Sequence, residues 1–315
     1  MNRIPILLMV LIIGLGIVLI AFFPANPVMA ESDSPEIGKA ISESQPQSED
    51  YLSGSERDFT GCTRINSAPL NADFEQRVVE LVNLERAKVG AAPLKRNSDL
   101  DFASRYHARD MVDDQYDSLT HDTMDRVDGS MRFVCSPFER IRLYYTDYYA
   151  AGENLAAGFD TPEDVVKGWM GSEGHRNNML DPRYREIGVG FYKGDALFRE
   201  YWVMDLVGKS DVYPVIINNE VAQTTSPYVN LFVYGKDKWS EMRVNNNNSS
   251  WSTWMPFQET VNWQLNPVNG IHTLSVELRE AGQTTAGAVS SDSITLTVYT
   301  LIDLPIKVFL PTIVR

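Results

Sequence analysis

The chain has little histidine and less cysteine, four and two in 315 residues. With Cys62 and Cys135 far apart and no Cys-x-x-Cys, a many-bridged scaffold and a dithiol redox centre are both excluded. One structural disulfide is the expected use of such a pair in an oxidising compartment. No compact His-Glu-x-x-His is present, so a local zinc-hydrolase motif is excluded as well. Positive charge is also scarce: 28 Lys and Arg stand against 42 Asp and Glu, a net charge of −14. A surface this acidic repels phosphate backbones and anionic headgroups, which argues against nucleic-acid partners. Long apolar runs are missing except near the N-terminus, where Ile6 to Phe23 follows Arg3 without a charge.

That run, with "PVMA" placing Val28 and Ala30 before Glu31, reads as a secretory signal peptide over residues 1–30, cleaved after Ala30. It is longer than the roughly 7 to 15 apolar residues usual in such signals, so an uncleaved N-terminal anchor is the alternative. Its removal takes one cation, Arg3, and no anion, leaving a net charge of −15. Either reading makes the remainder secreted or displayed on the cell surface, with the membrane met only through the anchor.

Residues 31–60, rich in Ser, Glu, Pro and Gln, read as a disordered spacer. Helical spacing follows in "NADFEQRVVELVNLERAKVG", opened by Asp73 three before Gln76, and in "SDLDFASRYHARDMVDD", where Leu100, Ala103, His107 and Met111 share a stripe. A third helix starts at "TPEDVVKGWM", with Thr161 as cap and Pro162 in the first turn. Then the period changes to two: Ile187, Val189 and Phe191 alternate, as do Trp202, Met204 and Leu206, joined through Gly194 and Asp195. This is an α+β pattern ending near Gly208. From 210 to 302, about seven short β-branched and aromatic segments suggest an all-β immunoglobulin-like sandwich without its cysteine pair. Trp239, Trp251, Trp254 and Trp263 read there as core and edge aromatics rather than a carbohydrate platform. Residues 303–315 form an apolar tail broken by Pro305 and Pro311, either a last strand or an export or attachment signal. The "NNS" and "NSS" tripeptides at Asn247 and Asn248 read as a polar hairpin loop.

Two of the four histidines have ordinary readings: His272 as a surface residue and His107 as a packing residue of the second helix. His121 in "SLTHDTMD" and His175 in "SEGHRNN" fall in polar turns after helices, where sites are built. Between them, "AAGENLAAG" sets Glu153 among small residues, with Asn154 next. Two imidazoles and a carboxylate make a His₂Glu set suited to Zn²⁺ or another divalent cation, although spacing by itself does not bring them together. No cofactor other than such an ion is implied.

The segments "THD", "AGENLAAG", "VVKGWMGSEGHRNNMLDPRYREIGVGF" and "YWVMDLVG" resemble, in this order, the bacterial branch of the CAP superfamily, which includes cysteine-rich secretory proteins, antigen 5 and pathogenesis-related proteins. The likeness runs from about Phe74 to Gly208, so a CAP domain over 61–209 is expected. It implies an α-β-α sandwich whose central sheet includes the hairpin 186–208. It further implies a cavity lined by two histidines and two glutamates, matched here by His121, Glu153 and His175. The position of the second glutamate holds Ser172. Losing that carboxylate weakens the case for a metal. The alternative is a hydrogen-bonded polar pocket formed by His121, Glu153, Asn154, Ser172 and His175, with Ser172 also a helix cap.

Three functions follow from these readings. The first is a non-enzymatic binding module for an extracellular ligand, whether lipid, cell-envelope component or protein. The second is a hydrolase using Ser172, His175 and Glu153. The third is a surface adhesion protein with a vestigial cavity.

Overall fold

The computed structural model describes residues 28–30, 61–247 and 249–298. The bulk of the expected signal, the spacer, Asn248 and the C-terminal tail lie outside them. The first part of the chain contains β1 (Val28–Ala30), α1 (Ala72–Lys88), β2 (Lys95–Arg96), α2 (Ser98–Asp113), β3 (Thr123–Val127) and β4 (Ser130–Cys135). It continues with α3 (Pro137–Arg142), β5 (Tyr148–Ala157), α4 (Pro162–Gly171), α5 (Glu173–Leu180), β6 (Glu186–Lys193) and β7 (Glu200–Lys209).

One sheet in the order β1-β5-β7-β6-β2 forms the middle layer. Alternation along β7 decides what lies on each face: Trp202, Met204 and Leu206 pack under Val78, Val82, Val165, Trp169 and Met179 of α1, α4 and α5. Tyr201 and Val203 pack instead with Ala108, Met111 and Val112 of α2. The result is three layers, helix, sheet and helix. Gly188 and Gly190 of β6 let α2 lie directly on the strand: a Cβ at Gly188 would overlap the backbone of Leu100 and Asp101, and one at Gly190 the backbone of Ser104 and Arg105. Cys62 and Cys135 are joined in a disulfide.

The helix starts depart from expectation in one place. Asn71 caps α1, its side chain accepting from the Phe74 amide at 3.1 Å, and Asp73 lies inside the first turn. The third helix begins as expected, with the Thr161 side chain accepting from the Asp164 amide. It then divides at Ser172 into α4 and α5.

The second part holds β8 (Val215–Ile217), a short 3-10 turn (Asn218–Glu220), β9 (Gln223–Thr224), β10 (Tyr228–Val233), β11 (Glu241–Asn246), β12 (Met255–Pro256), β13 (Thr260–Gln264), β14 (Gly270–Arg279) and β15 (Ala288–Leu296). A three-stranded sheet, β13-β10-β8, faces a five-stranded one, β12-β11-β14-β15-β9. Val229, Leu231 and Val233 from the first share one core with Val244, Leu274, Val276 and Leu278 from the second. Trp239 is buried there, and the other three tryptophans of the sheet region are partly buried. His272 departs from its surface reading: it is buried, with Nε2 against the Val268 carbonyl at 2.8 Å and Nδ1 near Asn247.

The two parts meet through β2 and the turn. Lys95 Nζ donates to Glu220 Oε1 at 2.8 Å and also to Asp292, while Asp292 Oδ2 accepts from the Ile217 amide. Asn218, Asn219 and Glu220 all take positive φ, a costly run that these contacts hold in place. Gln76 and Asn83 of α1 donate to the carbonyls of Glu220 and Asn219.

Candidate functional site

Because successive strand residues face opposite sides, the adjacent pair Glu153 and Asn154 serves two different layers. Glu153 shares the α2 face with Leu155 and Ala157, and Asn154 turns with Ala156 toward α4 and α5. On the α2 face, Glu153 Oε1 meets His121 Nδ1 at 2.8 Å, and Oε2 accepts from Arg140 Nη2. Arg140, fully buried on α3, also donates to Thr123 Oγ1 at 2.7 Å and to the His121 carbonyl. One guanidinium therefore fixes both the carboxylate and the loop that carries the histidine. Directly across from Glu153 on β7 stands Asp205, itself buried and accepting from Ser104 Oγ at 2.8 Å.

The charges sort accordingly. Burial pushes Glu153 up, but Arg140 and then the His121 hydrogen bond outweigh it, and the carboxylate stays well below its usual range. Burial and the charge of Glu153 push Asp205 well above its own. Two carboxylates facing one guanidinium are thus driven apart, Glu153 toward its charged form and Asp205 toward its neutral one. His107, the packing histidine, is buried in the same layer with Nε2 on the Thr120 carbonyl at 2.9 Å. Burial, then Arg140, lowers it to about 3.

On the other face, α5 presents His175. Its Nδ1 lies 2.8 Å from Ser172 Oγ, and its carbonyl accepts from Asn154 Nδ2. Asn178 completes the layer by donating to Asn154 Oδ1 and to the Glu153 carbonyl. The small residue before Glu153 has its reason here: a Cβ on Gly152 would stand 2.5 Å from Tyr184 Oη and 3.2 Å from the Asn178 amide. His175 Nε2 is buried and, among the described residues, has no hydrogen-bond partner. Burial, followed by the charge of His121, lowers this imidazole to about 4, so it is neutral at pH 7.

Of the residues singled out in the sequence, then, His121 joins Glu153, and His175 joins Ser172 and Asn154. The carboxylate of Glu153 makes its hydrogen bonds to His121 and Arg140, not to His175, so a Ser172-His175-Glu153 relay is not assembled. Ser172 stands at the N-cap position just before α5 but does not cap it through its side chain, which goes to His175 instead. The His₂Glu set is not drawn together as one ligand cluster. Both Glu153 oxygens are engaged, one by a guanidinium, and among the described residues the only three such side chains with ligand atoms all within 4.8 Å are Asp110, Asp114 and Asp125. The residues present do not fit a three-ligand ion at His121, Glu153 and His175. Arg140, Asp205 and Ser104 escaped sequence reasoning. A lone Asp in the apolar strand "YWVMDLVG" was the one available signal, and Arg140 gave none.

Residues 79–206 match the family model of the cysteine-rich secretory protein family, CAP. Over 144 residues the chain is 38% identical to the Bacillus subtilis (strain 168) protein YkwD, described as uncharacterized, with 45% of this chain and 51% of that protein covered. Over 116 residues it is 30% identical to the uncharacterized membrane protein YlbC of the same strain, covering 37% and 31%. An extracellular protein containing a SCP domain from Bacillus anthracis str. Ames is similar at 24% identity, 45% of either chain and a TM-score of 0.37. The chain spans about half or less of the length of these relatives. Residues 79–206 are thus a CAP domain of the cysteine-rich secretory protein family, similar to that of bacterial relatives.

Proposed function

We propose that the chain is a secreted or surface-displayed binding module, non-enzymatic, that takes a hydroxyl-bearing component of the cell envelope at His175. The observation that carries this reading is the buried, unpartnered Nε2 of a neutral imidazole whose other nitrogen is fixed by Ser172. Such a nitrogen is costly to leave unsatisfied. Whichever tautomer Ser172 selects, a hydroxyl group can answer it, since it both donates and accepts. His121, whose side chain is one-fifth exposed, marks the side open to solvent. The β-domain, read as an immunoglobulin-like spacer, then holds the CAP domain away from its attachment.

The test is co-sedimentation of the full chain with purified bacterial cell envelope. His175→Phe, which keeps a ring but removes both nitrogens, is expected to lower the retained fraction about tenfold, as loss of one buried hydrogen bond implies. Retention unchanged in that variant overturns the proposal, and retention surviving deletion of residues 61–208 favours adhesion through the β-domain. A second reading, an extracellular hydrolase, draws support from the 2.8 Å contact of Ser172 Oγ with His175 Nδ1, within reach for a nucleophile and its base. Fluorophosphonate labelling that disappears in Ser172→Ala supports it, and absence of labelling in the wild type removes it.

A further inference from the structure

We propose that Asp110, Asp114 and Asp125 form a binding site for a hard divalent cation, calcium by its chemistry, separate from the His/Glu cluster. Asp110 and Asp114 stand one turn apart at the end of α2, and Asp125 reaches them from β3. Each offers a carboxylate oxygen, and the three lie within 4.8 Å of one another. Two oxygens at about 2.4 Å on opposite sides of one calcium ion are about 4.8 Å apart, so every pair is within the span of a single ion.

Convergence of acids is common on surfaces, but two further features set this group apart. Asp110 is fully buried and, among the described residues, its Oδ1 accepts no hydrogen bond; Asp114 Oδ2 is likewise buried without a hydrogen-bond partner there, its carboxylate being eased by the Arg126 backbone amide. The other Asp110 oxygen accepts from Tyr116 Oη at 2.5 Å, and both oxygens of Asp125 accept from the Gly61 amide. Among the described residues, no Lys or Arg forms an ion pair with any of the three. Several other buried carboxylates are supplied with a cation: Glu75 has Arg96 and Arg105, Glu153 has Arg140, and Asp292 has Lys95, although Asp205 and Glu186 form no ion pair among the described residues. Arg126, next to Asp125, gives its nitrogens to the carbonyls of Asp114, Gln115 and Gly129 and to Asp117. The end of α2 adds partial negative charge from its carbonyls, with no basic residue in its last turn. Oxygen donors without sulfur or nitrogen select a hard ion, and the remaining coordination positions fall to water. The bound ion would tie α2, the β3-β4 hairpin and the segment at Gly61, next to the Cys62–Cys135 bridge, into one unit.

The experiment uses the full chain stripped with EDTA. Terbium, a calcium surrogate that nearby Tyr116 can sensitise, is expected to bind at one ion per chain, to be displaced by calcium, and to give no such emission with the Asp114→Asn/Asp125→Asn variant. Calcium at about a hundredfold excess over its Kd is expected to raise the melting temperature by about 5 °C in the wild type and not in the variant. Equal melting of the wild type in EDTA and in millimolar calcium overturns the proposal, as does a variant that retains the increment. If losing the Gly61 contact unfolds the double variant, Asp114→Asn alone carries the same readout, because it leaves the Asp125–Gly61 contact in place.

Discussion

At the scale of single residues, the molecule turns on Arg140. Among the described residues it is the one guanidinium facing Glu153 and Asp205, and it sits in complete burial. Arg140→Met leaves an ionised carboxylate without its partner, and the expected loss is about 3–5 kcal/mol in urea unfolding. The double variant Arg140→Met/Glu153→Gln should recover a large part of it, and a loss under about 1 kcal/mol in the single variant would contradict the account. The histidines and Glu153 were legible because they carry a motif in fixed order. Arg140 was not, since a short helix of six residues offers no periodicity to read, and its role exists only once β5 and α3 meet. His272 was misread for a related reason: the absence of an acidic neighbour in sequence says nothing about a backbone carbonyl four residues back that accepts from the ring.

At the scale of elements, what was readable was the period and what was hidden was the approach. Alternation in "EIGVGFYKG" gave β6 its correct apolar face, and the helical stripe of α2 placed Leu100, Ala103, His107 and Met111 inside. Nothing in either pattern announced that the two glycines between the apolar residues are where α2 rests. Gly188→Ala therefore tests the packing: no rotation of a side chain can move backbone atoms of Leu100 and Asp101, so a destabilisation of about 3 kcal/mol or more is expected by thermal or urea unfolding. A change within about 0.5 kcal/mol would mean that helix and strand can slide apart at no cost. The cap of α1 shows the converse limit, since both Asn71 and Asp73 are chemically fit to cap and only backbone geometry chooses.

At the scale of the whole molecule, two bodies are joined by few charged groups. One ammonium, Lys95, faces two carboxylates, Glu220 and Asp292; burial, and then Asp292, push Glu220 up to about 7 against the pull of Lys95. A carboxylate raised in the fold stabilises it where it holds its proton. The contribution is fully present below the unfolded value near 4.5 and is lost as pH rises through about 7. Melting of the wild type should therefore fall relative to Glu220→Gln as pH goes from 5 to 8, and parallel curves would refute the assignment. The change from mixed helices and strands to strands was legible from the switch of period after Lys209. The junction was not, because Asn218, Asn219 and Glu220 look like an ordinary polar turn and their left-handed backbone is set by partners on another domain.

That junction also decides how the protein carries mechanical load. Lys95 grips the β-domain, and the next residue, Arg96, is anchored to Glu75 and Asp101 in α1 and α2. Load carried by the backbone itself enters at β7, the central strand paired with β5, whereas the Lys95 contacts lead to β2 at the sheet edge. A pull on the β-domain is thus split between the strand next to Glu153 and an edge backed by two helices.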